Sequence, residues 1–412
     1  MQKKTVWIFN HYAHGTYFNK GGRHYWFAKN LIKKGYEPTI FCASTRHNSD
    51  SQISITNGTY ELKSVEKIPY VFVKTTKYKN GIERLQNMWN FYKNLFPTTK
   101  EYSKKYGKPD IIIASSVHPL TLLAGIKIAK KFNVPCICEI RDLWPETIVQ
   151  YGTLKKNSFV AKLLYKGEKW LYKKADKLIF TIPGGKDYVE EIGLDSSKVR
   201  YINNGVDLEE YNKNKNEFIY SDDNLDNPST FKVLYTGSMG VANELTYLVK
   251  AAEEIQNKGI DDIQFILFGH GSQREKLEEY VASKGLTNIV FKGKVDKKLI
   301  PNILSKSNLN IFTGKHIPLY KYGLSLNKLF DYMASGKPTL SNMENGYDIL
   351  TKQNCGKTVK GGSVDALVQG ILEFYHMDKQ EYNQYCQNSL STIQNYDFKT
   401  LTDKLESIII ES

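Results

Sequence analysis

In the stretch YGLSLNKLFDYMASGKPTL (322–340) a lysine and an aspartate, Lys328 and Asp331, stand three residues apart in the first turns of an apolar-periodic run. Residues at that spacing share a helix face. A helix start presents unpaired N–H groups and partial positive charge, the natural seat for a phosphate. A phosphate held there would have Lys328 beside it, and Asp331 could accept hydrogen bonds from an adjoining sugar. The chemistry this spacing fits is recognition of a nucleotide-like ligand.

Other loops carry residues of the same kind, each following a strand-like run. In the second half, YTGSMGVANEL holds Gly237 and Gly240, and FGHGSQREKLEEY holds Gly269 and Gly271 with Arg274 one turn on. Two glycine loops at successive strand ends make a wall that backbone donors can line. In the first half, Gly21 and Gly22 precede a helical pattern in NKGGRHYWFAKNLIKKGYEPTIF. They do not form G-x-G-x-x-G, which argues against a dinucleotide enzyme; turning the chain is their simpler use. His118 follows the run DIIIASS, where a general base or an acceptor-binding group could stand; a lone histidine is more often structural. Arg141, Asp142 and Glu146 crowd the loop CEIRDLWPETIVQYG beside Trp144 and Pro145. There Arg141 could grip a phosphate and Asp142 a sugar hydroxyl.

The elements that must position these loops are short apolar runs alternating with helical patterns. TVWIFN, EPTIFCA, DIIIAS, VPCICEI, KLIFTIP and KVRYINN come first, with helical stretches at 22–34, 119–132 and 155–175 among them. FKVLYTG, IQFILFG, IVFKGKV, LNIFTG and KPTLSN repeat the scheme. Such alternation predicts α/β domains with parallel sheets covered on both faces, and ligands then bind beyond the carboxyl ends of the strands. We expect two Rossmann-like, doubly wound domains, 1–206 and 231–380, joined by a polar linker at 207–230. Helices at 381–412 would follow and could cross back to the first domain. At 412 residues two domains are the default.

Hydrophobic residues make up 41% of the chain and charged ones 24%, values of a globular protein. No apolar run is long enough to span a bilayer, the start offers no signal peptide, and five scattered cysteines suit buried thiols. A reducing cytoplasm is the expected home. The net charge of +14 is uneven: residues 1–200 hold 34 Lys and Arg against 16 Asp and Glu, whereas 201–412 hold 23 against 27. A basic first half points to a polyanionic surface, membrane or nucleic acid. Its two basic-aromatic stretches, 77–96 with Trp89, Phe91, Tyr92 and Phe96 and 154–178 with eight lysines, suit an anionic membrane. A core-facing stripe with solvated lysines is the plainer reading, above all for the second. No nucleic-acid module is visible.

The chain resembles the retaining glycosyltransferases of family 4, on the motifs GGRHYWFAKNLIKKGYEPTIF, NNGVD, YTGSMG, FGHGSQREKL and above all NKLFDYMASGKPTL. EIRDLWPET and SLNKLFDYMASGKP look like the subgroup that builds bacterial O-antigen and capsule repeat units, including proposed N-acetylfucosamine transferases. The resemblance implies a GT-B fold, two Rossmann-like domains facing across a cleft, with a nucleotide-sugar donor on the second domain and the acceptor on the first. It implies a UDP-sugar carrying an N-acetylated hexosamine or 6-deoxyhexosamine, and no cofactor or metal. The acceptor would be a polyprenyl-diphosphate-linked saccharide, met by a peripheral enzyme at the inner face of the cell membrane. Asp331 matches the second acid of the family's pair, which contacts the ribose, while Gly323 stands where the first acid belongs. Contacts to the donor sugar would then fall to Asn327 and to N–H groups around Leu326, with Lys328 and Arg274 on the diphosphate and His118, Arg141 and Asp142 nearest the chemistry. Two rivals stay open: a nucleotide-sugar epimerase of the same fold, and a basic nucleic-acid-binding protein.

Overall fold

Isoleucine-rich segments such as IIIAS, apolar on both sides, can only be covered on two faces, and the chain folds accordingly into two parallel sheets flanked by helices. The structure, a computed structural model, describes residues 4–46, 52–116 and 118–412. It divides into two compact units, one of residues 1–203 with 398–412, the other of residues 204–397.

The first unit contains β1 (Thr5–Phe9), β2 (Glu37–Ala43), β3 (Tyr60–Val65), β4 (Ile68–Val73), β5 (Ile111–Ser115), β6 (Cys136–Ile140), β7 (Lys177–Phe180) and β8 (Val199–Tyr201), in the order β3-β4-β2-β1-β5-β6-β7-β8. All neighbours are parallel except β3 and β4. That hairpin turns at Glu66 and Lys67, both at positive φ, without the Gly or Asn that usually announces such a turn. The strand order reverses at β1, whose two neighbours are β2 and β5. The loops leaving β1 and β5 therefore part from each other at the carboxyl edge, where doubly wound sheets bind ligands.

The second unit repeats the plan with β9 (Phe231–Thr236), β10 (Ile263–Phe268), β11 (Ile289–Gly293), β12 (Leu309–Phe312), β13 (Thr339–Ser341) and β14 (Gly356–Thr358), ordered β11-β10-β9-β12-β13-β14. Here the reversal lies between β9 and β12.

Two expected boundaries need correction. Residues 207–230 are not a linker but part of the second unit, forming the helices Leu208–Glu217 and Asp223–Asp226. Their Asn/Asp content serves as caps: Asp207 accepts from the Glu210 N–H, and Asp222 from those of Asn224 and Leu225. The carboxyl-terminal helices part company. Helix Lys379–Ile393 stays with the second unit, whereas helix Phe398–Ile410 belongs to the first. It buries Phe398, Leu401, Leu405, Ile408 and Ile409 in the core beneath helix Arg23–Lys33. Lys34 reaches Asp403 and Glu406, each at 2.7 Å.

Truncating Leu401 to Ala should cost about 2–5 kcal/mol, the range for large-to-small core changes. Urea denaturation should show the loss in the first unit's transition; an unchanged midpoint there would mean that this helix adds nothing to the core.

Candidate active site

Three side chains expected near the chemistry lie in the first unit, on the loops leaving β5 and β6. His118 is the residue before helix Pro119–Phe132. Where a general base or acceptor-binding group was expected, the side chain is buried, 2% exposed. Its Nε2 lies 2.7 Å from His11 Nδ1, so the loops leaving β1 and β5 meet ring to ring at the point of strand reversal. His11 is stacked between Tyr12 and Phe91. Burial and then the Arg84 charge lower the His118 pKa to about 3, so the ring is neutral. Among the described residues its Nδ1 has no partner. Arg141 is tied to the β5 loop through its N–H, which donates to Ser116 Oγ at 3.1 Å. Asp142 stands exposed beside it; its crowded apolar surroundings push the carboxyl up, against the pull of Arg141. Glu146 is engaged locally, accepting from Gln150 and Tyr165.

Under these loops lies a buried polar cluster that pattern reasoning missed. Glu139, on β6, accepts from Arg23 Nε at 2.7 Å, His24 Nε2 at 2.8 Å and Ser115 Oγ at 2.6 Å. Arg23 also donates to the carbonyls of Ile202 and Asn203. Asn10 is oriented by accepting the Tyr12 N–H at 3.0 Å, so its amide nitrogen donates to His24 Nδ1 at 2.6 Å. His24 therefore carries its proton on Nε2, facing Glu139. Burial alone would raise the Glu139 pKa, yet Arg23, then His24 and Arg141, hold it well below the ordinary range. The available signals were a glutamate inside the apolar run CICEI and an Arg-His pair directly after Gly21 and Gly22. Gly22 precedes helix Arg23–Lys33 at φ +105°, so the glycines start that helix and aim Arg23 and His24 inward.

The donor-side residues lie in the second unit, apart from Gly21 and Gly22. Lys328 is the second residue of helix Asn327–Ala334. It reaches back to β9 and the loop leaving it, donating to Asn243 Oδ1 in the loop at 2.9 Å and to Tyr235 Oη on the strand at 3.1 Å, with the ammonium 4.6 Å from the Tyr235 ring centre. A side chain at Gly237 would meet Lys328 Nζ at 3.1 Å, so glycine keeps that approach open. Burial lowers the Lys328 pKa to about 8. The residue before this helix is Leu326, which offers no side-chain cap. The first N–H groups, at Asn327 and Lys328, thus have no capping side chain among the described residues. Asp331 is half-buried, and no described side chain donates to its carboxylate. Burial raises its pKa, partly offset by Lys297.

The two glycine loops pack backbone to backbone. A Cβ at Gly269 would fall 1.7 Å from the Gly237 carbonyl oxygen, and one at Gly271 would lie 2.5 Å from Met239 backbone. Hydrogen bonds Gly237 N to Phe268 O and Met239 N to His270 O, each 3.0 Å, hold them together. Gly240 meets no such crowding. Arg274 opens helix Arg274–Ser283, but its guanidinium is paired with Glu278 at 2.8 Å. Gly323, where the family places its first acid, adopts φ +95°, a conformation that a glutamate would enter only with strain.

Two family models match the chain: Glycosyltransferase Family 4 over residues 25–210 and Glycosyl transferases group 1 over residues 230–377. Among curated proteins, alpha-D-kanosaminyltransferase of Streptomyces kanamyceticus is 26% identical over 119 residues, spanning 29% of this chain and 29% of that protein. Two solved structures share the whole fold. Sucrose-phosphate synthase of Thermosynechococcus elongatus has a TM-score of 0.74 at 17% identity, covering 99% of each chain. HepE of Anabaena, solved with UDP and glucose, has 0.67 at 13%, covering 99% of this chain and 100% of its own. The fold is that of the GT-B glycosyltransferases. The two matches identify a family 4 domain followed by a group 1 glycosyl transferase domain.

Two substitutions check the geometry. Glu139→Ala strands the buried Arg23 charge and should cost about 3–5 kcal/mol. Because the Glu139 pKa is depressed on folding, its contribution is present above the unfolded carboxylate value of ~4.3 and fades as pH falls through the folded value. Acid titration of stability should therefore flatten in the variant; a curve that keeps the parent's shape would place the linkage elsewhere. Gly269→Ala should prevent the two loops from closing and abolish nucleotide binding while the first unit still folds. Unaltered binding would show that the loop pair is not needed.

Proposed function

We propose that the protein is a retaining, metal-independent transferase that moves a sugar from a UDP-sugar to a lipid-linked saccharide. The observation that carries this reading is the placement of Lys328 Nζ between Tyr235 and Asn243, beside the open start of helix Asn327–Ala334. Breaking a sugar–diphosphate bond leaves negative charge on the departing phosphate and an oxocarbenium-like sugar. Preorganised N–H groups and an ammonium stabilise that leaving group without reorganising at the moment of reaction. Asp331, with its acceptor capacity unused, would take the ribose hydroxyls, and Asn327 the donor sugar. The departing phosphate would accept the acceptor's proton, so no carboxylate forms a covalent intermediate. HepE of Anabaena, a protein of the same fold solved in complex with UDP and glucose, supports uridine as the nucleoside. The sugar proposed is an N-acetylated hexosamine or 6-deoxyhexosamine, the setting O-antigen or capsule assembly.

The acceptor side rests on the surface of the first unit. Helix Gly81–Tyr106 buries Met88, Phe91 and Leu95 yet exposes Ile82, Leu85 and Trp89. Phe91 is therefore core, and only part of the aromatic stretch is available outside. Helix Phe159–Lys174 likewise exposes Phe159, Val160, Leu163 and Trp170 among its lysines. Exposed aromatic and aliphatic groups ringed by lysine suit adsorption to an anionic bilayer at the inner face of the membrane. No helix among the described residues is long and apolar enough to cross one.

Transfer from a UDP-sugar to a polyprenyl-diphosphate-linked acceptor should proceed in EDTA; complete loss restored by Mg²⁺ or Mn²⁺ contradicts metal independence. UDP affinity should decline as pH rises through about 8, where Lys328 loses its proton, and Lys328→Met should flatten that dependence. The protein should float with anionic vesicles and be released by salt, whereas indifference to lipid charge would remove the membrane surface from the reading.

A further inference from the structure

The first unit contains a cavity of about 450 Å³ that the donor-side chemistry does not use. That volume is within the ~300–1,000 Å³ typical of small-molecule sites. It opens between helices Pro119–Phe132 and Phe159–Lys174 and reaches the carboxyl ends of β5 and β6, where Ser116 and Asp142 line it. Its walls are almost wholly apolar, with Leu123, Trp144, Leu163 and Trp170 prominent. The buried acid on its floor, Glu168, accepts from Tyr172 at 3.0 Å and Tyr188 at 2.9 Å. Burial pushes its pKa up to about 8, so at neutral pH it adds little negative charge to the slot.

Gly167 is the second clue. It lies in the middle of helix Phe159–Lys174, where glycine costs about 1 kcal/mol relative to alanine. It lines the cavity, and a Cβ placed there would meet nothing within 4 Å. No packing demands the glycine, so its effect is to leave room at the mouth. Exposed Lys166 lines the slot, and the same helix carries Lys162 and Lys169, also exposed. An apolar slot with a cationic rim complements an amphiphile with a hydrocarbon tail and an anionic head.

We infer that this slot holds the hydrocarbon chain of the diphosphate-linked lipid acceptor, with its head directed to the strand ends beside Arg141. The inference rests on the lipid-linked acceptor of the proposed function and adds a chain-binding site to it. A slot of this kind selects acceptors by chain as well as by charge, and it lets the enzyme draw the first part of the chain out of the bilayer.

The test uses the full-length protein and two soluble probes, farnesyl diphosphate and isopentenyl diphosphate, which share a head and differ in chain length. Calorimetry should find the farnesyl compound bound at least about tenfold more tightly, a small fraction of what full burial of the added carbons would yield. Two variants alter the slot: Gly167→Trp fills its mouth, and Leu163→Gln, at a residue 59% exposed and so safe for folding, roughens its wall. Each should bring the preference down to about threefold or less, with affinity for isopentenyl diphosphate unchanged. Equal affinities in the parent protein, or a preference that survives both changes, overturns the inference. Flotation with anionic vesicles is read in parallel. If it fails while the chain preference and its sensitivity to Gly167→Trp persist, the slot stands and only surface adsorption is lost.

Discussion

A parallel sheet that grows outward in both directions from an inner strand must leave one place on its carboxyl edge where successive loops diverge. That constraint organises each unit of this protein. In the first, divergence at β1 and β5 brings His11 against His118. In the second, divergence at β9 and β12 leaves room for Lys328 to reach Tyr235 on β9 and Asn243 in the loop after it, which hold its ammonium. Neither contact could form if consecutive strands simply followed one another across the sheet.

The two places have opposite electrostatic character. The first rests on a charged cluster sealed from water, in which Glu139 is satisfied by Arg23, His24 and Ser115. Nothing in it is left over to react; it fixes the loops above, and the neutral His118 ring stands on that base. Among the described residues the second leaves capacity unused: helix N–H groups without a side-chain cap, a carboxylate without a side-chain donor, and a lysine without an anionic partner, whose pKa burial lowers to about 8. A site that keeps positive charge short of a counter-ion is prepared for an anion to supply it.

Local patterns carried much of this. The alternation of apolar runs and helices identifies two doubly wound sheets, and the apolar-periodic run after Gly323 identifies the helix that carries Lys328 and Asp331, although Lys328 turns to Asn243 and Tyr235 while Lys297 is the charge that acts on Asp331. Partners distant in sequence were not legible. Asn243 and Tyr235 stand 85 and 93 positions from Lys328, and Arg23 stands 116 from Glu139. The segment 207–230 misled because asparagine and aspartate favour both disordered chain and helix caps, and only packing decides which. The hairpin of β3 and β4 escaped notice because Glu66 and Lys67 occupy positive φ that glycine or asparagine would normally advertise. Arg274 looked available from position alone, yet Glu278 one turn later neutralises it.

The central claim is that Lys328 and the uncapped helix start grasp the diphosphate of a nucleotide-sugar. Calorimetric titration of uridine and UDP into the parent protein and into Lys328→Met tests it most directly. The account predicts that UDP binds at least about tenfold more tightly than uridine in the parent and that most of this difference vanishes in the variant. Equal binding of the two ligands by the parent, or an undiminished difference in the variant, would contradict it.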